Sequence, residues 1–296
     1  MTARCGFAAL LGAPNAGKST LLNRMTGAKV AIVSAKPQTT RFRVRGIVVR
    51  GEAQVLLVDT PGIFAPRRRL DRAMVAAAWD AARDAEIAAL VVDARAGETA
   101  AVRTVAERLG ATASGPWLVL NKIDLVARPS LLPLAERLAA LAPFARTFMV
   151  SAKTGDGVES LLDALATAMP ESPHLYPDDA LSDLPDRMLA AEIVREQVLQ
   201  QTHEEVPYAA TVETESWTER RDGSVRIEAT IYVARPGQKA ILIGEGGARI
   251  GQIGARARAE LARLLERPVH LFLAVKERPG WDEEPARLLA LGLATE

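Results

Sequence analysis

Residues Gly12-Ala13-Pro14-Asn15-Ala16-Gly17-Lys18-Ser19 fill every fixed position of the pattern G-x-x-x-x-G-K-[ST]. The apolar run Phe7 to Leu11 precedes them, and Thr20-Leu21-Leu22-Asn23 follows with the look of a helix start. A Gly-rich turn without a ligand is the plain alternative, but strand, loop and helix in this order are what a phosphate cradle requires. Gly12 and Gly17 let the backbone close round a polyphosphate, so that the N–H groups from Asn15 to Thr20 and the positive helix end point inward. Lys18 reaches terminal phosphates, and the Ser19 hydroxyl can sit on Mg²⁺. The fold must therefore contain an α/β unit, and the ligand is a nucleotide of unspecified base.

Strand-like runs then alternate with helix-period stretches up to residue 169. The strands are read at Phe7–Leu11, Gln54–Asp59, Ile87–Asp93, Trp117–Asn121 and Thr147–Val150. Apolar residues recur at helical spacing through Leu131, Leu134, Leu138, Leu141 and again through Val158, Leu161, Leu162, Leu165, Met169. Uniformly apolar strands separated by helices predict a mostly parallel sheet covered on both faces, with ligands outside the carboxyl ends of its strands. Residues 1–169 are read as the nucleotide domain. Residues 170–185 form a proline- and acid-rich linker expected to act as a semi-rigid spacer. Residues 186–296 form a second, α+β domain with a C-terminal tail.

The motifs that choose base and reaction follow strand ends. Asp59-Thr60-Pro61-Gly62 places an acid that can hold Mg²⁺ through water and a Gly62 N–H that can meet a γ-phosphate. D-x-x-G alone is a common turn; about forty residues after a phosphate loop it gains meaning. In Asn121-Lys122-Ile123-Asp124, a carboxylate at Asp124 can accept from both N1–H and the N2 amine of guanine, which adenine lacks. Ser151-Ala152-Lys153 offers a turn whose backbone can reach the guanine O6. The polar stretch Ser34 to Arg41 has no period and suits a switch in which a threonine completes the Mg²⁺ shell. Thr40 is favoured over Thr39 by analogy with such motifs, and the plain reading is a surface loop. These residues call for GTP or GDP with Mg²⁺.

The second domain reads as a helix (Ala190, Ile193, Val194, Gln197, Val198), two strands (Tyr208–Trp217 and Ser224–Val233), a strand-like Ala240–Ile243, the loop Gly244-Glu245-Gly246-Gly247, a helix to about Arg267 and a strand Val269–Val275. G-x-x-G loops of KH domains clamp the backbone of single-stranded nucleotides. From Leu181 onward 15 Lys and Arg face 19 Asp and Glu, yet within 235–278 nine basic residues face four acids. Arg249, Arg256 and Arg263 recur every seven residues on one helix face, while Ile250, Ile253, Ala257, Leu261 and Leu264 line another. A solvated face is the bland explanation; contacts from Lys239, Gly244–Gly247, Arg249 and Arg256 to RNA phosphates explain a basic patch in an acidic domain better.

A formal net charge of +1 gives no global sign of a nucleic-acid partner, and one cysteine, Cys5, excludes a disulfide framework. No apolar run approaches membrane-spanning length and no signal-peptide pattern is present, so a cytoplasmic protein is expected. His174, His203 and His270 lack metal-ligand spacing. The four tryptophans are read as packing residues, and Arg67-Arg68-Arg69 as either a solvated run or a contact with RNA.

Together the loop P-N-A-G-K-S-T, the paired threonines before an arginine, D-T-P-G-I, N-K-I-D, Phe64-Ala65-Pro66, Gln238 to Gly244 and Ile250-Gly251-Gln252-Ile253-Gly254 resemble the Era family across nearly the whole chain. The resemblance implies a P-loop GTPase domain followed by a type II KH domain of order α-β-β-α-α-β. It implies a monomeric GTP-hydrolysing switch that binds the 3′ region of 16S ribosomal RNA, acts in 30S subunit assembly, and associates peripherally with the membrane. Ile63 stands where Ras-like GTPases carry a water-orienting glutamine, so slow turnover is expected, supported by Lys18, Thr40, Gly62 and Asn15. Asn15 at this loop position implies a K⁺ ligand beside the phosphates. Two departures from the family, Glu245 and Gly251 where lysines are usual, remove positive charge from the RNA loop and predict weaker or more salt-sensitive binding. Two rivals stand beside this reading: a nucleotide-sensing RNA-binding module with negligible hydrolysis, and a tandem or tRNA-modification type GTPase. A single set of motifs and an intact G-x-x-G oppose the latter.

Overall fold

The computed structural model describes residues 2–293. The chain divides into two compact units, one comprising residues up to 31, 40–183 and from Leu288 on, the other 32–39 and 184–287.

The first unit contains β1 (Arg4–Leu11), α1 (Lys18–Thr26), β2 (Val44–Arg50), β3 (Ala53–Asp59), α2 (Arg69–Asp84), β4 (Ile87–Asp93), α3 (Ala100–Thr112), β5 (Trp117–Asn121), α4 (Arg128–Ala139), β6 (Arg146–Met149) and α5 (Val158–Ala168). Its sheet has the order β2-β3-β1-β4-β5-β6 and is parallel except for β2, which runs antiparallel to β3 at one edge. Every residue of β3 and β5 is buried, as a sheet covered on both faces demands. Because β3 and β4 lie on opposite sides of β1, the connections leave β1 and β3 in different directions and open a crevice beyond their carboxyl ends.

β2 is not among the strands expected from the sequence. As an edge strand it is half exposed and pairs with β3 through a tight turn at Gly51 (φ 59°). Its pattern is therefore neither a buried run nor a clean alternation. Residues 170–183 also differ from a free spacer. Backbone bridges join Arg4 to Glu171 and Gly46 to Ser182. The fully buried Gln54 accepts the N–H groups of Leu175 (2.9 Å) and Tyr176 (3.1 Å) and donates to the Tyr176 carbonyl (2.8 Å). A buried amide satisfied by three backbone groups ties this stretch to the first unit.

The second unit contains α6 (Asp186–Gln201), the single turn α7 (Val206–Ala209), β7 (Ala210–Glu219), β8 (Val225–Val233), α8 (Pro236–Ile243), α9 (Ala248–Leu264) and β9 (Val269–Glu277); a short α10 (Pro285–Ala290) follows. The sheet order is β7-β8-β9, antiparallel then parallel. Ile193, Val194, Val198, Ile227, Ile231, Leu242, Ile253, Ala257 and Leu261 form its core. Ala240–Ile243 is helical rather than extended. Pro236 opens α8, and the Gln238 side chain accepts the N–H groups of Ala234 (3.1 Å) and Arg235 (3.0 Å). Four apolar residues in a row carry no period that could have told helix from strand. Tyr208 and Ala209, expected in a strand, close α7 instead.

Residues 32–39 pack within this second unit. Ile32 joins its core, the Val33 N–H donates to Glu196 (2.9 Å), Lys36 donates to the Leu199 and Thr202 carbonyls, and Arg195, paired with Glu192, donates to the Thr39 carbonyl. This explains why α6 buries Glu192, Arg195 and Glu196 along with its apolar face.

Candidate functional site

The phosphate loop leaves β1 and enters α1. Gly12 has φ 145°, and a side chain there would lie 2.3 Å from the Val91 carbonyl oxygen. Gly17 has φ 92°, and a Cβ would lie 2.3 Å from the Asn121 amide nitrogen. Both glycines are thus required by backbone conformation and by close approach. The Lys18 ammonium donates to the carbonyls of Gly12 (3.2 Å) and Ala13 (3.1 Å). Burial brings it down from 10.5 to about 8, against the pull of the Asp59 charge.

Ser19, Thr40 and Asp59 meet at the start of α1. The Ser19 hydroxyl donates to Asp59 Oδ2 (2.6 Å), the Thr40 hydroxyl does the same (2.9 Å), and the two hydroxyl oxygens are 2.9 Å apart. Burial raises the Asp59 carboxyl, while the Lys18 charge and the two hydroxyls oppose the rise. Asp59 Oδ1 is buried and has no hydrogen-bond partner. Hard oxygen donors gathered with an unsatisfied carboxylate oxygen fit Mg²⁺, which Ser19, Thr40 and Asp59 would hold. Thr39 is not in this cluster: its hydroxyl donates to the Lys36 carbonyl (2.8 Å).

Gly62 is pressed against the loop; a Cβ there would lie 2.8 Å from Pro14. The Ile63 N–H donates to the Gly12 carbonyl (3.0 Å), and its side chain is buried in the core of the first unit. Apolar and buried, the Ile63 side chain offers no group that could orient an attacking water.

Asn121 braces three loops. Its amide donates to the Ala16 carbonyl (2.9 Å), and its oxygen accepts the N–H groups of Lys122 (2.8 Å) and Ala152 (3.0 Å). Lys122 adopts φ 63°, and its ammonium reaches the Asn15 carbonyl (2.6 Å) and Asp93 (2.6 Å). Asn15 itself is exposed with φ 62°. Asp124 accepts from the Ser151 hydroxyl (2.7 Å), which fixes one of its carboxylate oxygens. Arg24, which sequence reasoning did not single out, reaches from α1 to the carbonyls of Ala152 and Lys153 and fixes that turn. No motif spacing marks it. Thr20 lies in the first turn of α1.

In the second unit Gly244-Glu245-Gly246-Gly247 joins α8 to α9. Gly244, Gly246 and Gly247 have φ of 73°, 56° and 81°, and a Cβ on Gly244 would lie 2.9 Å from that of Arg249. Glu245 and Arg256 are exposed, while Lys239 and Arg249 are half-buried. Arg263, expected on the same face as Arg249 and Arg256, pairs with Glu260 (2.9 Å). Arg267 pairs with Glu219 and Arg278 with Glu284, so the basic patch is narrower than its residue count. In the arginine run, the N–H groups of Arg67 (3.2 Å) and Arg68 (3.1 Å) donate to Asp71, and the Arg68 guanidinium pairs with it, capping α2. No group of His, Cys, Asp and Glu that could hold a metal occurs among the described residues, and none of their helices is long and apolar enough to cross a membrane.

Two family models match the chain: a 50S ribosome-binding GTPase over residues 7–122 and a KH domain over residues 205–282. GTPase Era of Afipia carboxidovorans is 57% identical over 290 residues, covering 98% of this chain and 94% of the relative. That of Rhizobium meliloti is 53% identical over 290 residues, covering 98% and 93%. The crystal structure of an Aquifex aeolicus Era variant bound to GDP and aluminium fluoride superposes with a TM-score of 0.93 at 36% identity, covering 98% of this chain and 99% of that one. A crystal structure of Era with MgGDPNP and nucleotides 1506–1542 of 16S ribosomal RNA matches with the same TM-score, identity and coverage. With a phosphate loop, a guanine motif and a G-x-x-G loop in one chain, and relatives more than half identical over almost all of it, the chain belongs to the Era family of GTPases.

Proposed function

We propose that the protein is a Mg²⁺- and GTP-dependent switch that hydrolyses GTP slowly, binds the 3′ region of 16S ribosomal RNA through its KH domain, and acts in assembly of the 30S subunit. The observation that carries this reading is the joining of Ser19, Thr40 and the unsatisfied Asp59 in one cluster beside Lys18, in a chain that also carries a G-x-x-G loop. The Era structure with MgGDPNP and a 16S fragment supports the choice of ligands.

In this reading Gly12, Asn15, Ala16, Gly17, Lys18, Ser19 and Thr20 hold the phosphates. Asn121 and Lys122 shape the base pocket, Asp124 reads guanine, and Ser151, Ala152 and Lys153 close it. Bound Mg²⁺ neutralises charge on the β- and γ-phosphates. Lys18, released from its own loop carbonyls, turns its ammonium to the terminal phosphates. Gly62 offers its N–H to the γ-phosphate, and Thr40 moves with the γ-phosphate's presence or loss. The chain passes from one unit to the other between Thr39 and Thr40, and Arg195 holds the Thr39 carbonyl within the second unit. Displacement of Thr40 on hydrolysis therefore pulls on a segment anchored to α6.

Asn15, exposed in the loop, is the candidate K⁺ ligand. Lys239, Gly244, Glu245, Gly246, Gly247, Arg249 and Arg256 form the RNA surface, with a GTPase domain near 1–169, a connecting stretch 170–185 held mostly against it, and a KH domain 186–296. The protein acts as a cytoplasmic monomer with peripheral membrane association. One observation favours a second reading: Ile63 is buried, which leaves no catalytic side chain at that position and suits a nucleotide sensor with negligible hydrolysis. GTP turnover with and without a 16S 3′-end fragment separates the two. Slow but measurable turnover supports the switch, and none under any condition supports the sensor.

A further inference from the structure

The Lys122 side chain is held from a direction that the guanine motif does not specify. β4 ends at Asp93, whose Oδ1 accepts the N–H groups of Arg95 (2.9 Å) and Ala96 (3.4 Å). The next residue, Ala94, donates its N–H to the Asn121 carbonyl (2.8 Å), tying this turn to the end of β5. The second carboxylate oxygen, Oδ2, is thereby aimed at the Lys122 ammonium, 2.6 Å away. The same ammonium donates to the Asn15 carbonyl at 2.6 Å. The Lys122 stem lies along the loop, with Cε 3.6 Å from where a Gly17 Cβ would stand. Both partners of the pair are partly withdrawn from water, with side-chain exposures of 28% and 23%.

We propose that Asp93 is a positioning residue of the nucleotide site: it turns Lys122 into a charge-neutralised clamp on the phosphate loop and so sets how long a guanine nucleotide stays bound. This rests on the GTPase reading and extends it to a residue outside every motif. An ammonium bonded to a carbonyl alone can swing away into water. Fixed between a carboxylate and that carbonyl, it holds Asn15 in its left-handed conformation and keeps the loop shaped for phosphates. The carboxylate is itself held by two backbone N–H groups, so the geometry is set before the ligand arrives. The contribution is that of a half-exposed ion pair, which makes the effect moderate and sensitive to salt.

The test is release of fluorescent mant-GDP from the full chain by stopped flow, in Asp93→Asn, Lys122→Met and the double variant. Asn at 93 keeps the oxygen that organises the turn but presents an amide donor to the ammonium. Release is expected to quicken about fivefold, with a smaller factor in high salt. In the Lys122→Met background the Asp93 change is expected to add nothing, and Asp93→Glu to restore part of the loss. Equal acceleration in both backgrounds would show Asp93 acting through the turn and overturns the proposal, as does unchanged release in Asp93→Asn. An unmodified chain that fails to hold mant-GDP overturns the guanine reading and the proposal with it; the variants alone decide the proposal when mant-GDP binds.

Discussion

Binding of guanine nucleotide should take up a proton at alkaline pH, and Lys18 supplies the number. Without ligand its ammonium is bonded to two loop carbonyls, and burial, partly offset by the Asp59 charge, brings it from 10.5 to about 8. Phosphates placed against it favour the charged form and return it to the range of an ordinary lysine. At pH 8.5 about three quarters of the empty protein carries neutral Lys18, and almost all of the complex carries it charged, so binding takes up about 0.7 proton. At pH 7 the same calculation gives about 0.1 proton. The affinity should accordingly fall with a slope near 0.7 log unit per pH unit around pH 8.5. For the empty protein the sign is opposite: the depressed lysine costs about 3 kcal/mol below pH 8, and that cost fades as pH rises from 8 toward 10.5. Calorimetry of GDP binding in buffers of different ionisation enthalpy measures the uptake directly, and a titration of lysine carbon resonances in the empty protein locates the group. Uptake near zero at pH 8.5, or uptake that persists in Lys18→Met, would mean that Lys18 is not the group that takes up the proton.

Asn121→Ala should lower stability by about 2–4 kcal/mol in urea unfolding, because the Ala16 carbonyl and the Ala152 N–H are left buried without partners. It should also weaken GDP binding by tenfold or more through misplaced loops. Glu245→Lys should tighten binding of a 16S 3′-end oligonucleotide severalfold, since it replaces an exposed negative charge in the G-x-x-G loop; unchanged affinity in a filter-binding titration would mean that the loop does not touch RNA. Arg256→Ala should weaken RNA binding across sequences and reduce the slope of log affinity against log salt by about 1. Arg263→Ala should do much less, because Glu260 already occupies that guanidinium.

The parts of the fold legible in the sequence are those whose burial is uniform or whose chemistry is local. β4 and β5 are continuous apolar runs, and their ends are those read from the sequence. The clustering of Ser19, Thr40 and Asp59 at the phosphate loop was foreshadowed by residue type and spacing, because such motifs are local. β2 was hidden by its position at the sheet edge, and α8 by an apolar run too short to show a period. The anchoring of residues 170–183 depends on Gln54, a buried polar residue more than a hundred positions earlier, and no local pattern records such a partner. The same holds for Ile32 in the core of the second unit and for Arg24 behind the Ala152 turn. Long-range hydrogen bonds of this kind become visible only when the fold has brought their partners together.

The most direct test of the switch is GTP turnover measured with Mg²⁺ in K⁺ and in Na⁺ buffer, with and without the 16S 3′-end fragment, for the unmodified protein and Thr40→Val. The switch should turn over GTP slowly in the unmodified chain, faster in K⁺ than in Na⁺, and lose turnover in Thr40→Val while GDP binding is retained. Zero turnover of the unmodified protein in every condition would contradict it and leave a nucleotide sensor in its place; equal rates in K⁺ and Na⁺ would remove Asn15 from the mechanism.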